Sequence, residues 1–308
     1  MKIYKELKDF RGELKKPILT IGNFDGVHLG HQTILKKIVS RAKETGGSSV
    51  VLTFEPHPVK VIAPHKDIRL ITSCEERTNL IDAAGVDAVI CVNFTKGFAR
   101  QHPEDFTRDI LLDKIGVSEI YVGHDYAFGR GREGTIEYLK ELGKKYNFHV
   151  DVIEPVTVNG AIVSSSSTRK LITEGSVDKA AKFLGRYYTL SGMVVKGAGR
   201  GKGLGFPTAN IEPPAELIPE DGVYAVIVKK GNNTYNGVAN IGNKPTFKNE
   251  RFGLEAYLFD FNGDLYNERL EISFVKKIRD EMAFKNTDAL ITQMKKDVQI
   301  AGKILKEK

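Results

Sequence analysis

Only two cysteines, Cys74 and Cys91, occur in the 308 residues. Neither has companions at zinc-ligand spacing, and two do not make the framework of a small secreted scaffold, so both are expected to be buried, reduced thiols without a role. Long apolar runs are missing as well. From Met1 to Lys16 the chain mixes Lys, Glu, Asp and Arg where a signal peptide needs an unbroken apolar core, and no later stretch approaches membrane-spanning length. That argues against a membrane partner and for a protein that works in the cytoplasm. Aromatic patterns of the RNP or cold-shock kind are absent too. The net charge of +7, spread over 46 basic and 39 acidic residues, therefore reads as the solvated surface of an enzyme of polyanionic nucleotides, with no nucleic-acid partner expected.

What is present is an ordinary globular composition, 41% hydrophobic and 28% charged, in a chain longer than one typical domain. Two textures divide it near Arg186. Before that point, short β-branched runs at Ile18–Thr20, Ser49–Phe54, Ala88–Asn93 and Glu119–Val122 alternate with helix-like stretches at Gln32–Glu44, Cys74–Ala84 and Asp105–Leu112. This rhythm predicts a parallel sheet covered on both faces, with ligands at the carboxyl ends of its strands. After it, strand-like runs at Leu190–Val195, Gly222–Val228, Tyr235–Ala239, Leu254–Phe259 and Leu270–Phe274 are punctuated by Gly, Asn and Asp, which predicts an all-β body. Leu290, Ile291, Met294, Val298, Ala301 and Leu305 share one helical face and close the chain. The expected domains are 1–185 and 186–308, forming a monomer or a weak homo-oligomer.

The strand ending at Ile21 runs into Gly22-Asn23-Phe24-Asp25-Gly26-Val27-His28-Leu29-Gly30-His31. At a helix start, His28 and His31 stand three residues apart on one face. Free N–H groups and the helix dipole attract phosphate there, Gly30 lets a nucleotide approach the backbone, and the imidazoles can donate to phosphate oxygens as charge develops. Taken alone, the pair also fits a helix cap or a metal pair. The string Val163-Ser164-Ser165-Ser166-Ser167-Thr168-Arg169 makes a second anion clamp, with hydroxyls leading into a helix and a guanidinium fork behind them; a serine turn with an N-cap is its simpler reading.

The first string resembles the His-x-Gly-His signature of nucleotidylyltransferases, in the extended form of the bacterial bifunctional riboflavin kinase/FMN adenylyltransferases. The resemblance continues at Thr53-Phe54-Glu55-Pro56-His57-Pro58, Glu75-Glu76-Arg77, Gly123-His124-Asp125-Tyr126-Ala127-Phe128-Gly129 and the serine string, where Ser166 stands in place of the family's Thr. It implies a Rossmann-like α/β nucleotidylyltransferase-type domain followed by an all-β riboflavin kinase barrel with a terminal helix. It implies ATP binding by Gly22, Asn23, Phe24, Asp25, His28, His31, Ser164, Ser165, Ser166 and Arg169, with His28 and His31 catalytic. Phe54, Pro56 and Pro58 offer an apolar wall for an isoalloxazine ring, and Asp125 and Phe128 match the flavin-side loop, although Phe54 and Phe128 also suit a core. His124, Tyr126 and Ala127 depart from the family's usual residues.

A second site follows. Gly197-Ala198-Gly199-Arg200-Gly201-Lys202-Gly203-Leu204-Gly205 fits neither the P-loop nor the dinucleotide fingerprint and alone could be a linker. Directly after it comes Phe206-Pro207-Thr208-Ala209-Asn210, where in extended chain Thr208 and Asn210 point the same way and can reach one hard cation. This looks like the riboflavin kinase Pro-Thr-Ala-Asn motif, which implies that Gly199, Gly201, Gly203, Gly205, Pro207, Thr208 and Asn210 bind ATP, and that Thr208 and Asn210 hold Mg2+. Glu255 shares a strand face with Tyr257 and Phe259; if that face is interior, its basicity rises. The match at Gly253-Leu254-Glu255 implies that Glu255 is the catalytic base, and Asn240 to Phe247 resembles a loop near the flavin, with Asn240 binding it. Tyr266-Asn267 replaces the family's Tyr-Gly. The implied substrates and products are ATP, riboflavin, FMN and FAD. An RNA-binding protein or an aminoacyl-tRNA synthetase relative shares the His-x-Gly-His loop, but no Lys-Met-Ser-Lys-Ser string occurs. One half retained only for flavin-dependent regulation is a further alternative.

Overall fold

Strands joined through helices return to the same end of a sheet, so a chain with the rhythm of the first half pairs its strands in parallel. The computed structural model describes residues 1–197, 203–213, 215–242 and 253–307, and the chain divides into two compact units, Met1–Ser165 and Ser166–Lys308. In the first unit, β1 (Lys2–Tyr4), β2 (Pro17–Ile21), β3 (Ser48–Glu55), β4 (Ala88–Asn93), β5 (Glu119–Gly123) and β6 (His149–Ile153) form a six-stranded sheet in the order β1-β4-β3-β2-β5-β6. Every pairing in it is parallel. Successive residues of one strand bury on opposite faces: Ile18, Val51 and Val89 pack in one core cluster, Leu19, Val50 and Ile90 in another. Both faces are therefore covered, as a parallel sheet requires.

The helices of this unit are α1 (Leu29–Thr45), α2 (Pro58–Ile62), α3 (Cys74–Ala83), α4 (Pro103–Asp105) and α5 (Ile136–Tyr146). Ser73 and Glu76 make a capping box at the start of α3. After α4 the chain winds as a π-helix over Phe106–Ile115, where the sequence predicted ordinary helix. Its buried residues Phe106, Ile110, Leu111 and Ile115 recur at four to five positions, a spacing that the wider turn, and not 3.6 residues, brings to one side. The edge strands β1 and β6 and the hairpin β7 (Thr157–Val158) and β8 (Ala161–Ile162) are additions to the predicted pattern.

The helix α6 (Ser165–Thr173) begins at the boundary between the units, and α7 (Val177–Leu184) follows. In the second unit β9 (Tyr188–Val195), β10 (Ala209–Glu212), β11 (Gly222–Lys230), β12 (Asn233–Gly242), β13 (Gly253–Leu258) and β14 (Arg269–Arg279) close into a barrel in the order β10-β13-β12-β11-β14-β9. All its pairings are antiparallel. The helix α8 (Thr287–Lys306) lays Ala301 and Leu305 against Ala225 of β11 and Val275 of β14. The barrel with its closing helix matches the second texture of the sequence.

Candidate functional sites

In the first unit the motif loops follow β2, β3 and β5 and so leave the same end of the parallel sheet. The loop after β2 is strained: Phe24, Val27 and Gly26 have φ of +52°, +39° and +80°. Left-handed backbone at a non-glycine residue costs on the order of 1–3 kcal/mol and persists only where the surroundings enforce it. Asp25 does so. Its buried carboxylate accepts from the Ile71 N–H at 2.9 Å, the Thr72 N–H at 3.1 Å and the Thr72 hydroxyl at 3.3 Å, while the Gly26 N–H donates to Thr72 Oγ1 at 3.0 Å. From the other side, the Arg77 guanidinium, 1% exposed, donates to the Asn23 carbonyl at 3.3 Å and pairs with Glu55 at 3.0 Å.

The loop delivers His28 as the N-cap of α1, its Nδ1 accepting from the His31 N–H at 3.3 Å. A neutral His28 therefore carries its proton on Nε2. The two imidazoles stack with centroids 3.6 Å apart, and the Phe24 ring lies 5.0 Å from His31. Burial, then the neighbouring His28, holds the His31 imidazole well below the ordinary histidine range, and among the described residues His31 Nδ1 has no hydrogen-bond partner. A Cβ on Gly30 would stand 3.1 Å from the His28 ring and 3.7 Å from the Val163 carbonyl. The start of the serine string thus closes on this loop, and Ser165 Oγ donates to the Asp25 carbonyl at 2.9 Å. Gly22, Asn23, Phe24, Asp25, His28, His31 and Ser165 are therefore gathered in one place, with Ser164 beside them in the chain. Ser166 and Arg169 lie in α6, in the second unit.

The residues of the flavin-side resemblance separate by burial. Phe128 is buried in an aromatic chain, 5.7 Å from Phe106, which is 5.9 Å from Phe98. Phe54, half-buried, joins that chain through Phe94 at 5.4 Å and Phe98 at 6.1 Å. Pro56 and Asp125 are exposed and Pro58 is half-buried. One expectation is corrected here: Cys74 is exposed and Cys91 only half-buried, because Cys74 opens α3, a helix that buries only Arg77 and Ile81.

In the barrel a single row of residues runs across four strand pairings. Asn210 of β10 stands opposite Glu255 of β13, Glu255 opposite Asn240 of β12, Asn240 opposite Val223 of β11, and Val223 opposite Arg279 of β14. Leu254, Ala256 and Leu258 of β13 are fully buried, whereas Glu255 and Tyr257 line a cavity of about 260 Å³. The conditional reading of Glu255 as interior is thus corrected: alternation puts it on the outer face, where α8 and the 279–284 segment build the cavity against it. Thr208 Oγ1 donates to Glu255 Oε2 at 3.2 Å, and Asn240 donates to Glu281 at 3.4 Å. A side chain on Gly197 would collide with the Asn210 amide, so glycine there is a packing requirement of the motif. Gly203, Gly205 and Pro207 lie between these residues in the chain; Gly199, Gly201 and the 243–247 stretch lie outside the described residues.

Sequence reasoning missed the far wall of this cavity. Arg279 donates three bonds to Asp297 at 2.8 to 3.1 Å, Gln293 adds a fourth at 2.8 Å, and Phe284 lies under the guanidinium at 5.8 Å. Met282, Met294 and Val298 complete the apolar part. The signal was available: Asp297 falls on the apolar face of α8 between Met294 and Ala301, and an acid there needs a buried partner.

A parallel sheet with a His-x-Gly-His loop at a helix start, joined to a closed barrel with a carboxylate on its cavity wall, defines a nucleotidylyltransferase-type domain followed by a small kinase-type barrel. A family model described as FAD synthetase matches residues 11–167, and one described as riboflavin kinase matches residues 184–305. The bifunctional riboflavin kinase/FMN adenylyltransferase of Buchnera aphidicola from Acyrthosiphon pisum is 37% identical over 98% of both chains. That of Escherichia coli K12 is 36% identical over 91% of this chain and 90% of its own. A crystal structure described as a macrolide-efflux protein from Streptococcus pneumoniae superposes with a TM-score of 0.89, at 31% identity over 97% of each chain. Among the described residues no helix is long and apolar enough to cross a membrane. The chain belongs to the bifunctional riboflavin kinase/FMN adenylyltransferase family, enzymes that use ATP as a substrate.

Proposed function

We propose that residues 186–308 transfer the γ-phosphoryl group of ATP to riboflavin, giving FMN, and that residues 1–185 join FMN to the adenylyl group of a second ATP, giving FAD and pyrophosphate. In the barrel Glu255 takes the proton of the ribityl 5′-hydroxyl as that oxygen attacks, a role contributing on the order of 10²- to 10⁴-fold. Its hydrogen bond from Thr208 fixes the carboxylate, and Asn210 and Asn240 flank it in register. Thr208 and Asn210 offer neutral oxygen donors beside a carboxylate, a set suited to Mg2+, which when bound neutralises charge on the ATP phosphates. Gly199, Gly201, Gly203, Gly205 and Pro207 belong to the ATP side of this reading, and Asn240 to the flavin side.

In the first unit the FMN phosphate attacks the ATP α-phosphate in line, with no covalent protein intermediate. His28 Nε2–H and His31 donate to the phosphate oxygens, where one such donor is worth roughly 3 kcal/mol in the transition state. Gly22, Asn23, Phe24, Asp25 and Gly30 shape the backbone cradle, Ser164 and Ser165 close on it, and the resemblance assigns Ser166 and Arg169 to ATP as well. Phe54, Pro56, Pro58, Asp125 and Phe128 make the flavin side. Both reactions belong to the cytoplasm.

The observation that carries this reading is the register row that pairs Asn210, Glu255 and Asn240, with Glu255, Asn240 and Thr208 on one cavity wall and Thr208 bonded to the carboxylate. Incubation with riboflavin, ATP and Mg2+ followed by separation of products is expected to yield FMN and then FAD. Absence of both products overturns it.

A further inference from the structure

Arg77 is buried at 1% exposure on α3, a helix whose other buried residue, Ile81, is apolar. Its ion pair with Glu55 explains little of this placement. Glu55 is 42% exposed and so is hydrated without it, and a buried ion pair is weak evidence for stability. Among the described residues the Arg77 Nε–H has no partner. A cation buried one donor short carries a desolvation cost that the ion pair alone does not return. What the position supplies is reach in two directions. Nη1 donates to the Asn23 carbonyl at 3.3 Å, in the loop after β2, and Nη2 donates to the Phe54 carbonyl at 3.4 Å, near the end of β3. Both nitrogens belong to one planar group, so a rigid fork sets the spacing of those two carbonyls.

The fork is itself held. Ser73 and Glu76 box the start of α3, the Ser73 N–H donating to Glu76 at 2.9 Å and the Glu76 N–H to Ser73 Oγ at 3.1 Å. Directly before that cap, the N–H groups of Ile71 and Thr72 donate to Asp25 at 2.9 and 3.1 Å. The 71–77 stretch therefore grips the loop at Asp25 and again at Asn23. Thr53 Oγ1 donates to the same Asn23 carbonyl at 3.4 Å, and the Gly22 N–H donates to the Leu52 carbonyl at 3.1 Å, which ties the loop to β3 ahead of Phe54. Arg77 adds the tie to Phe54 itself.

We infer that Arg77 is a positioning residue for adenylyl transfer: through two backbone carbonyls it fixes the spacing between the loop assigned to ATP and the strand end assigned to the flavin. This rests on the reading of residues 1–185 as the site of FMN adenylylation. In-line attack needs the FMN phosphate oxygen and the ATP α-phosphorus about 3–3.5 Å apart, and different elements hold the two substrates. A spacing error of about 1 Å costs about 10²-fold in rate, whereas each substrate alone still meets its own wall intact. Loss of the fork is therefore read in kcat and not in KM.

The test compares R77K with E55Q. Lysine keeps the charge for Glu55 but offers a point donor in place of the fork. The full chain of each variant is assayed for FMN adenylylation across ATP and FMN concentrations and for riboflavin phosphorylation, with far-ultraviolet circular dichroism as the check on folding. In R77K the kcat of adenylylation is expected to fall roughly ten- to a hundredfold, with KM for ATP and for FMN within about threefold of the parent and phosphorylation unchanged. E55Q removes the ion pair and leaves the carbonyl bonds, and is expected to adenylylate within about twofold of the parent. R77K at the parent kcat, a loss confined to the KM of one substrate, or an E55Q as slow as R77K overturns the inference. An R77K chain whose circular dichroism shows the first unit unfolded overturns it too, because Arg77 is then a folding residue. A parent chain that makes no FAD from supplied FMN overturns instead the reading of the site.

Discussion

Replacing Asp297 by Ala tests whether the closing helix is bolted to the barrel or merely rests on it. Asp297 is 4% exposed and Arg279 18%, and the pair is bidentate, with Gln293 adding a bond on the same carboxylate. Removing one partner of a buried ion pair strands the other charge, at a cost of about 3–5 kcal/mol. The lower figure applies here, because Arg279 keeps its bond to the Asp280 carbonyl and its place over Phe284. For a body the size of the second unit, about 3 kcal/mol corresponds to a fall in Tm of roughly 10 °C. With no tryptophan in the chain, unfolding is followed by far-ultraviolet circular dichroism. The same variant is expected to raise KM for riboflavin, since Asp297, Met294 and Val298 line the cavity. It leaves adenylylation of supplied FMN intact. The paired replacement R279M/D297L fills the volume without charge and is expected to recover most of the stability. A D297A protein within 1 °C of the parent refutes the bolted-helix argument.

Three other outcomes follow from the sites. Glu255→Gln is expected to cut riboflavin phosphorylation by about 10²-fold or more in kcat and to spare FAD formation from FMN; equal loss of both activities contradicts the assignment. His28→Ala with His31→Ala is expected to stop FAD formation and spare FMN formation, read by product separation from one reaction mixture. The depressed His31 group gives a pH signature. The unfolded chain protonates His31 near 6.5 and the folded chain only well below it, so stability is full above pH 6.5 and falls as pH drops, by at most about 1.4 kcal/mol per pH unit for one site. His31→Asn is expected to flatten that part of the denaturation-versus-pH curve, and an unchanged slope sinks the claim.

The parallel sheet was legible because β-branched runs such as Ala88–Asn93 and the helices between them have a physical period that survives in sequence. The edge strand β1 was not: only Tyr4 of its three residues is buried, so it carries no alternation to read. The π-wound Phe106–Ile115 segment was read as ordinary helix because only its buried set, once seen, shows the wider spacing. In the barrel, alternation put Glu255, Tyr257 and Phe259 on one face. Which face looks inward is decided by the partners of Leu254, Ala256 and Leu258, and a single strand does not carry that information. Arg279 was missed for a related reason: Asp297, on the apolar face of α8, calls for a buried partner, but nothing in the sequence says which of the many basic residues supplies it, and Arg279 alone looks like a surface charge.

The strain in the Gly22–His31 loop explains why charged groups lie buried beneath it. Positive φ at Phe24 and Val27 places the backbone where relaxed chain would not go, and two charges hold it there from opposite sides. Asp25 is pinned by main-chain N–H groups of the 71–72 segment, and Arg77 draws on the Asn23 carbonyl. Hydrogen bonds to a charged group are worth roughly twice those between neutral groups, and the desolvation of each charge is tolerated because its bonds go to backbone dipoles that cannot swing away. The consequence is directional. A neutral isostere at Asp25 keeps the shape but weakens its hold, so the loop relaxes and His28 leaves the cap of α1. The same loss at Glu55, 42% exposed, leaves Arg77 its backbone acceptors and the loop its geometry.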